Sequence, residues 1–73
     1  MTRYLNLGGD SGVEAYEIGY DYITVYFAKA ARGYTYSYRS AGHANVETMK
    51  QLARNGHGLN SFINRYVRYL YER

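Results

Sequence analysis

Apolar and polar residues alternate most cleanly over Tyr22-Ile23-Thr24-Val25-Tyr26-Phe27, with Ile23, Val25 and Phe27 on one side and Tyr22, Thr24 and Tyr26 on the other. This period of two predicts a β-strand with two unlike faces. A second alternation, Tyr34-Thr35-Tyr36-Ser37-Tyr38-Arg39, sets three tyrosines against Thr35, Ser37 and Arg39. Residues 13–18 can extend as an earlier strand, reversing at Gly19-Tyr20-Asp21, and residues 28–33 turn the chain between the other two. Three strands joined by short turns predict an antiparallel meander.

The period lengthens after Ser40-Ala41-Gly42. Val46, Met49, Leu52 and Ala53 recur at helical spacing, with Asn45 as the expected N-cap and Gly56 as the expected C-cap. A second helix follows Gly56-His57-Gly58, carrying Leu59, Phe62, Ile63, Tyr66, Val67 and Leu70 on one broad stripe and Arg65, Arg68 and Glu72 on the other side. The expected fold class is therefore α+β, a three-stranded antiparallel β-meander followed by two α-helices packed on one face of the sheet. Residues 13–73 form this single domain, and residues 1–12, ending in Gly8-Gly9-Asp10-Ser11-Gly12, are expected to be a flexible N-terminal segment. No Lys-Ser or Lys-Thr follows those glycines, so they do not read as a phosphate loop.

A sheet with one covered face needs one apolar side. That side is assigned to Tyr16, Ile18, Ile23, Val25, Phe27, Tyr34, Tyr36 and Tyr38, covered by Val46, Met49, Leu59, Phe62, Ile63, Tyr66, Val67 and Leu70. A chain of 73 residues buries only roughly 60% of its unfolded surface, so each large side chain matters. On this packing Phe62→Ala is expected to cost about 3–5 kcal/mol and abolish folding.

Composition changes the picture at three points. The chain has no cysteine, which favours the reducing cytoplasm and leaves stability to packing and, in part, self-association. The opening Met1-Thr2-Arg3-Tyr4 lacks a basic start followed by an apolar run, so no secretory leader is expected, and no apolar stretch approaches the roughly 20 residues that span a bilayer. Seven Arg and two Lys against six acids give a net charge of +3, a mild bias toward anionic partners. Tyrosine is the outlier, with eleven Tyr against two Phe and no Trp. Each brings a large apolar ring and a hydroxyl that needs a partner.

The strand Ile23-Thr24-Val25-Tyr26-Phe27, the Tyr-x-Tyr pattern of Tyr34, Tyr36 and Tyr38, and the run Phe62-Ile63-Asn64-Arg65-Tyr66-Val67-Arg68 together resemble the KTSC domain. That module occurs at the C-terminus of some lysyl-tRNA synthetases and as free-standing bacterial and phage proteins. The chain departs from the family pattern in having no proline after the Tyr-x-Tyr strand. The resemblance implies the fold class above, and it implies RNA binding only through the family's attachment to a synthetase. It carries over no catalytic residue.

The residues themselves offer two functional readings. On the open sheet face Tyr22 and Tyr26 lie with Thr24, Thr35, Ser37 and Arg39, able to stack a base, meet a peptide or meet a second copy. Arg65 and Arg68 share the outward side of the last helix and can contact phosphates, although Arg68 can instead pair with Glu72. The first reading is an RNA-binding module using Tyr22, Tyr26, Arg39, Arg65 and Arg68. The alternative is a protein-interaction or self-associating module using the same sheet face. The amides near Asn60 and Ser61, after Gly58, are a weak candidate anion site, more simply read as a tight connection. His43 and His57 lack the ligand spacing of a zinc site, and no nucleophile arrangement occurs, so neither a metal or other cofactor nor an enzymatic activity is expected.

Overall fold

A computed structural model describes residues 1–9 and 12–73. Four antiparallel strands, Thr2–Arg3 (β1), Val13–Ile18 (β2), Tyr22–Phe27 (β3) and Gly33–Ser37 (β4), form one sheet in sequence order. Three helices follow, Tyr38–Ala41 (α1), His43–Asn55 (α2) and Leu59–Phe62 (α3), and the last runs directly into a π-helical turn, Ile63–Val67. The domain is α+β, with one strand and one helix more than the pattern predicts.

The meander has the expected registers. Ile23 pairs with Tyr36 and Val25 with Tyr34, which places all four on one face, while Thr24 pairs with Thr35 and Tyr22 with Ser37 on the other. The first hairpin is less regular. A bulge between Val13 and Ala15 lets Val13, Tyr16 and Ile18 share the core face despite their uneven spacing. Ile23, Val25 and Tyr36 then pack with Val46, Met49, Ala53, Leu59, Ile63 and Val67 in one buried cluster, so the helices cover a single face of the sheet.

The extra strand comes from the N-terminal segment. Thr2 pairs with Tyr16 and Arg3 with Ala15, and Tyr4 donates its amide to the Glu14 carbonyl. Tyr4 is 3% exposed, and its hydroxyl accepts a hydrogen bond from the Leu59 amide at 3.2 Å. Leu5 lies against Gly56, where a Cβ would come within 2.6 Å of the Leu5 side chain. Gly56 also holds a left-handed φ of 73° as the C-cap of α2, so two independent requirements select glycine there. Part of the glycine-rich stretch taken as flexible, Asp10-Ser11, lies outside the described residues.

The extra helix comes from the end of β4. Ser37 and Ser40 exchange hydrogen bonds in a capping box, each side chain meeting the other residue's backbone N–H at 3.0 Å. The chain therefore leaves the sheet at Tyr38, and Arg39 sits on α1, not on the strand. Asn45 is not an N-cap. It lies inside α2, which begins at His43 after Gly42, and its amide donates to the Ala41 carbonyl. Tyr66 and Leu70 are not core residues, at 57% and 42% exposure, and Phe62 is half-buried. The π-turn explains the shift. It replaces i→i+4 bonding with i→i+5 bonding, so an α-helical stripe drifts off the core beyond Ile63 and only Val67 remains inside. The helix ends before Leu70.

The C-terminal residues return to the sheet. Glu72 donates its amide to the Thr35 carbonyl on the outer edge of β4, and the Tyr71 ring packs edge-on against Tyr34 at 4.8 Å. This covers part of an edge that would otherwise present unpaired backbone groups.

Candidate nucleic-acid interface

The five residues read from sequence fall in three separate places. Tyr22 and Tyr26 are half-buried on the uncovered sheet face, about 13 Å apart along one strand, with Thr24 between them. Each ring lies over a glycine of the neighbouring chain segment. A Cβ at Gly19 would lie 2.0 Å from the Tyr22 ring, and one at Gly33 would lie 2.7 Å from the Tyr26 ring. Between them the Thr24 and Thr35 hydroxyls hydrogen-bond at 2.8 Å. This face spends its aromatic and polar groups largely on itself.

Arg39 is 90% exposed and sits 4.0 Å from the Glu72 carboxylate. Glu72 also accepts a hydrogen bond from Ser37, so the Arg39 charge is partly matched. Glu72 is the acid that the helical spacing offered to Arg68. The chain turns away before that pairing is reached.

Arg65 and Arg68 lie on the opposite side of the sheet, on the last helical turn, and both are exposed. The Arg65 guanidinium sits 5.9 Å over the Tyr66 ring, and that of Arg68 5.2 Å over the Tyr69 ring. Arg73 covers Tyr71 at 5.2 Å, and Arg32 covers Tyr34 at 5.4 Å from the hairpin side. Tyr69 is 63% exposed. Among the described residues the ion pairs are Arg39–Glu72 and Lys50–Glu47, so Arg65 and Arg68 keep their charge for solvent. Exposed tyrosine rings with unneutralised arginines beside them supply two things single-stranded nucleic acid needs, a stacking surface and a phosphate contact.

Sequence reading missed Tyr66 and Tyr69 as surface residues. In the run Arg65-Tyr66-Val67-Arg68-Tyr69-Leu70 only Val67 is buried, an outcome that helical spacing does not signal. It also missed a polar cluster on α2. Lys50 is 5% exposed, its ammonium bonding Glu47 Oε2 at 2.8 Å and the Tyr20 carbonyl at 2.8 Å. Tyr38 donates its hydroxyl to the same carboxylate oxygen at 2.5 Å. That bond, with burial next, pushes the Tyr38 phenol up to about 12, and the Lys50 ammonium holds Glu47 below the usual carboxylate range. Every strong group in this cluster has a partner, so it braces α2 against the β2–β3 turn.

No group of three or more metal-ligating side chains occurs among the described residues. No helix there is long and apolar enough to cross a membrane. Compared with protein families, curated proteins and solved structures, the chain matches none.

Proposed function

We propose that the domain binds single-stranded nucleic acid, RNA in the first instance, through the Arg–Tyr surface of its last helical turn. The observation that carries this reading is the pairing of exposed Tyr66 and Tyr69 with guanidiniums that meet no carboxylate. Arg65 and Arg68 contact phosphates without regard to sequence, and the tyrosine rings stack bases. The net charge of +3 assists encounter without creating a dense basic stripe. The family resemblance is not needed for this reading, which stands on geometry and charge.

The test is a fluorescence-anisotropy titration of a labelled RNA of about eight nucleotides, repeated between about 50 and 200 mM salt. Binding is expected to weaken with salt, with a slope of about −0.7 per phosphate contact. Absent or salt-insensitive binding would sink the proposal. Tyr22→Ala with Arg39→Ala serves as the control away from the Arg65–Tyr69 surface and should leave affinity unchanged. The alternative, an interaction or self-association surface on the uncovered sheet face, has its own test in sedimentation across concentration. It has less behind it, because Tyr22, Tyr26, Thr24 and Thr35 already pack on one another and on the glycines.

A further inference from the structure

The last helical turn does not close fully on the sheet. Between it and the β3–β4 hairpin lies a cleft of about 180 Å³ whose walls include Phe27, Tyr34, Tyr69 and Tyr71, with Asn64 and Arg68 at its border. A wider groove, about 810 Å³, shares Phe27, Tyr34 and Asn64 with the cleft and reaches Lys29 in the hairpin loop. Two features restrict what can occupy it.

The first is shape. Phe27 and Tyr34 meet edge-on at 5.8 Å, and Tyr34 and Tyr71 meet edge-on at 4.8 Å. A flat guest can therefore lie along one ring while its rim faces the next. The second is charge. Arg68 lines the cleft, Lys29 lines the groove and Arg32 sits over the Tyr34 ring, and no acid lines the cleft or the groove among the described residues. A flat, apolar-faced group attached to an anionic chain fits both conditions, and a nucleobase on its phosphate backbone is such a group.

Asn64 adds selectivity. It is exposed on the π-turn, and its side-chain amide offers one acceptor beside two donors. On the Hoogsteen edge that pair matches the N6 amino donor and N7 acceptor of adenine, whereas guanine presents two acceptors, O6 and N7, along the same edge. Pyrimidines offer less surface to the tyrosine wall.

We propose that this cleft takes one adenine of a bound strand, stacked on the tyrosine wall and read by Asn64, while Arg68 holds an adjoining phosphate. The proposal rests on the nucleic-acid reading above and refines it from a surface to a subsite.

The test compares a uridine strand of about eight nucleotides with the same strand carrying one central adenine or one central guanine, titrated against the full chain. The adenine strand is expected to bind about tenfold tighter than the other two. Asn64→Ala should reduce its affinity to that of the uridine strand and leave the uridine strand itself unchanged. Asn64 is exposed, so both proteins should melt alike, and Asn64→Asp, which loses the donors and adds a negative charge, should weaken all three strands. Equal affinity for the three strands overturns the subsite while the general surface stands. An adenine preference that survives Asn64→Ala overturns it equally, and failure of every strand to bind overturns both readings.

Discussion

Two places in this domain set a cation beside a tyrosine, and they are built to opposite ends. At Lys50 the ammonium lies 5.4 Å over the Tyr38 ring and bonds the Glu47 carboxylate and the Tyr20 carbonyl, while the Tyr38 hydroxyl donates to that same carboxylate. At Arg65 and Arg68 the guanidiniums lie over Tyr66 and Tyr69 with no carboxylate in reach. Charge that is matched and buried holds elements together, whereas charge that is exposed and unmatched adds little to stability and remains available to a partner. The number of cation–tyrosine pairs therefore says nothing about function until the third group is known.

The contrast is sharpest at Lys50. Lys50→Ala removes a buried stem and leaves Glu47 bonded only to Tyr38, and it should cost about 2–3 kcal/mol. The figure is set below that of a fully buried pair because Glu47 keeps access to water. Urea unfolding with an unchanged slope checks it. A loss under about 0.5 kcal/mol would show that the cluster is an ordinary surface pair.

Phe62 sits between the two regions, packed on the core and 4.8 Å from the Tyr66 ring. Because it is half-buried, Phe62→Ala should cost about 1–2 kcal/mol, less than the loss of a fully buried ring. The variant is expected to fold, with a cooperative but lowered melt. A variant that fails to fold would place Phe62 at the centre of the core.

Stability should also depend on pH. Burial raises the Tyr36 phenol, and the bond to Glu47 raises that of Tyr38, each from 10 to about 12. The unfolded chain gives up these protons first, so between pH 10 and about 12 the folded state binds more protons and stability falls as pH rises. Tyr38→Phe should flatten part of that fall. Glu47 acts with the opposite sign. Its lowered value stabilises the fold above the ordinary carboxylate range, and that contribution is lost as pH falls through it. Melting temperatures across pH separate the two limbs, and an alkaline limb unchanged in Tyr38→Phe would remove Tyr38 from the cluster.

These residues also show what could be read before the structure. Ile23, Val25, Tyr34 and Tyr36 were legible because a strict two-residue period leaves one way to face a core. The alternation carries β4 two residues too far because Tyr38 and Arg39 continue it, while the serine pair that ends it, Ser37 and Ser40, is a weaker signal than the usual Ser-x-x-Glu. The two residues of β1 carry no period, and Tyr4 beside them is tied down by partners distant in sequence, Glu14 and Leu59. At the candidate site the arginines were legible and the tyrosines were not. A helical stripe counted at 3.6 residues per turn carries Tyr66 inward, and only the π-turn turns it out.

The smallest expected change in stability is the one on which the functional reading depends. Arg65→Ala with Arg68→Ala removes exposed groups without carboxylate partners and should move stability by no more than about 0.5 kcal/mol, whereas Tyr66→Ala with Tyr69→Ala also loses the Tyr66–Phe62 ring contact and should cost about 1 kcal/mol. Their effects on RNA should be large and different in kind. Losing two phosphate contacts should reduce the salt slope by about 1.4 and weaken all strands alike. Losing two stacking rings should weaken binding at least about tenfold while leaving the salt slope in place. Should the arginine pair instead destabilise the fold as much as Lys50→Ala, its charge would be matched by a group within the domain, and the difference between the two clusters would disappear.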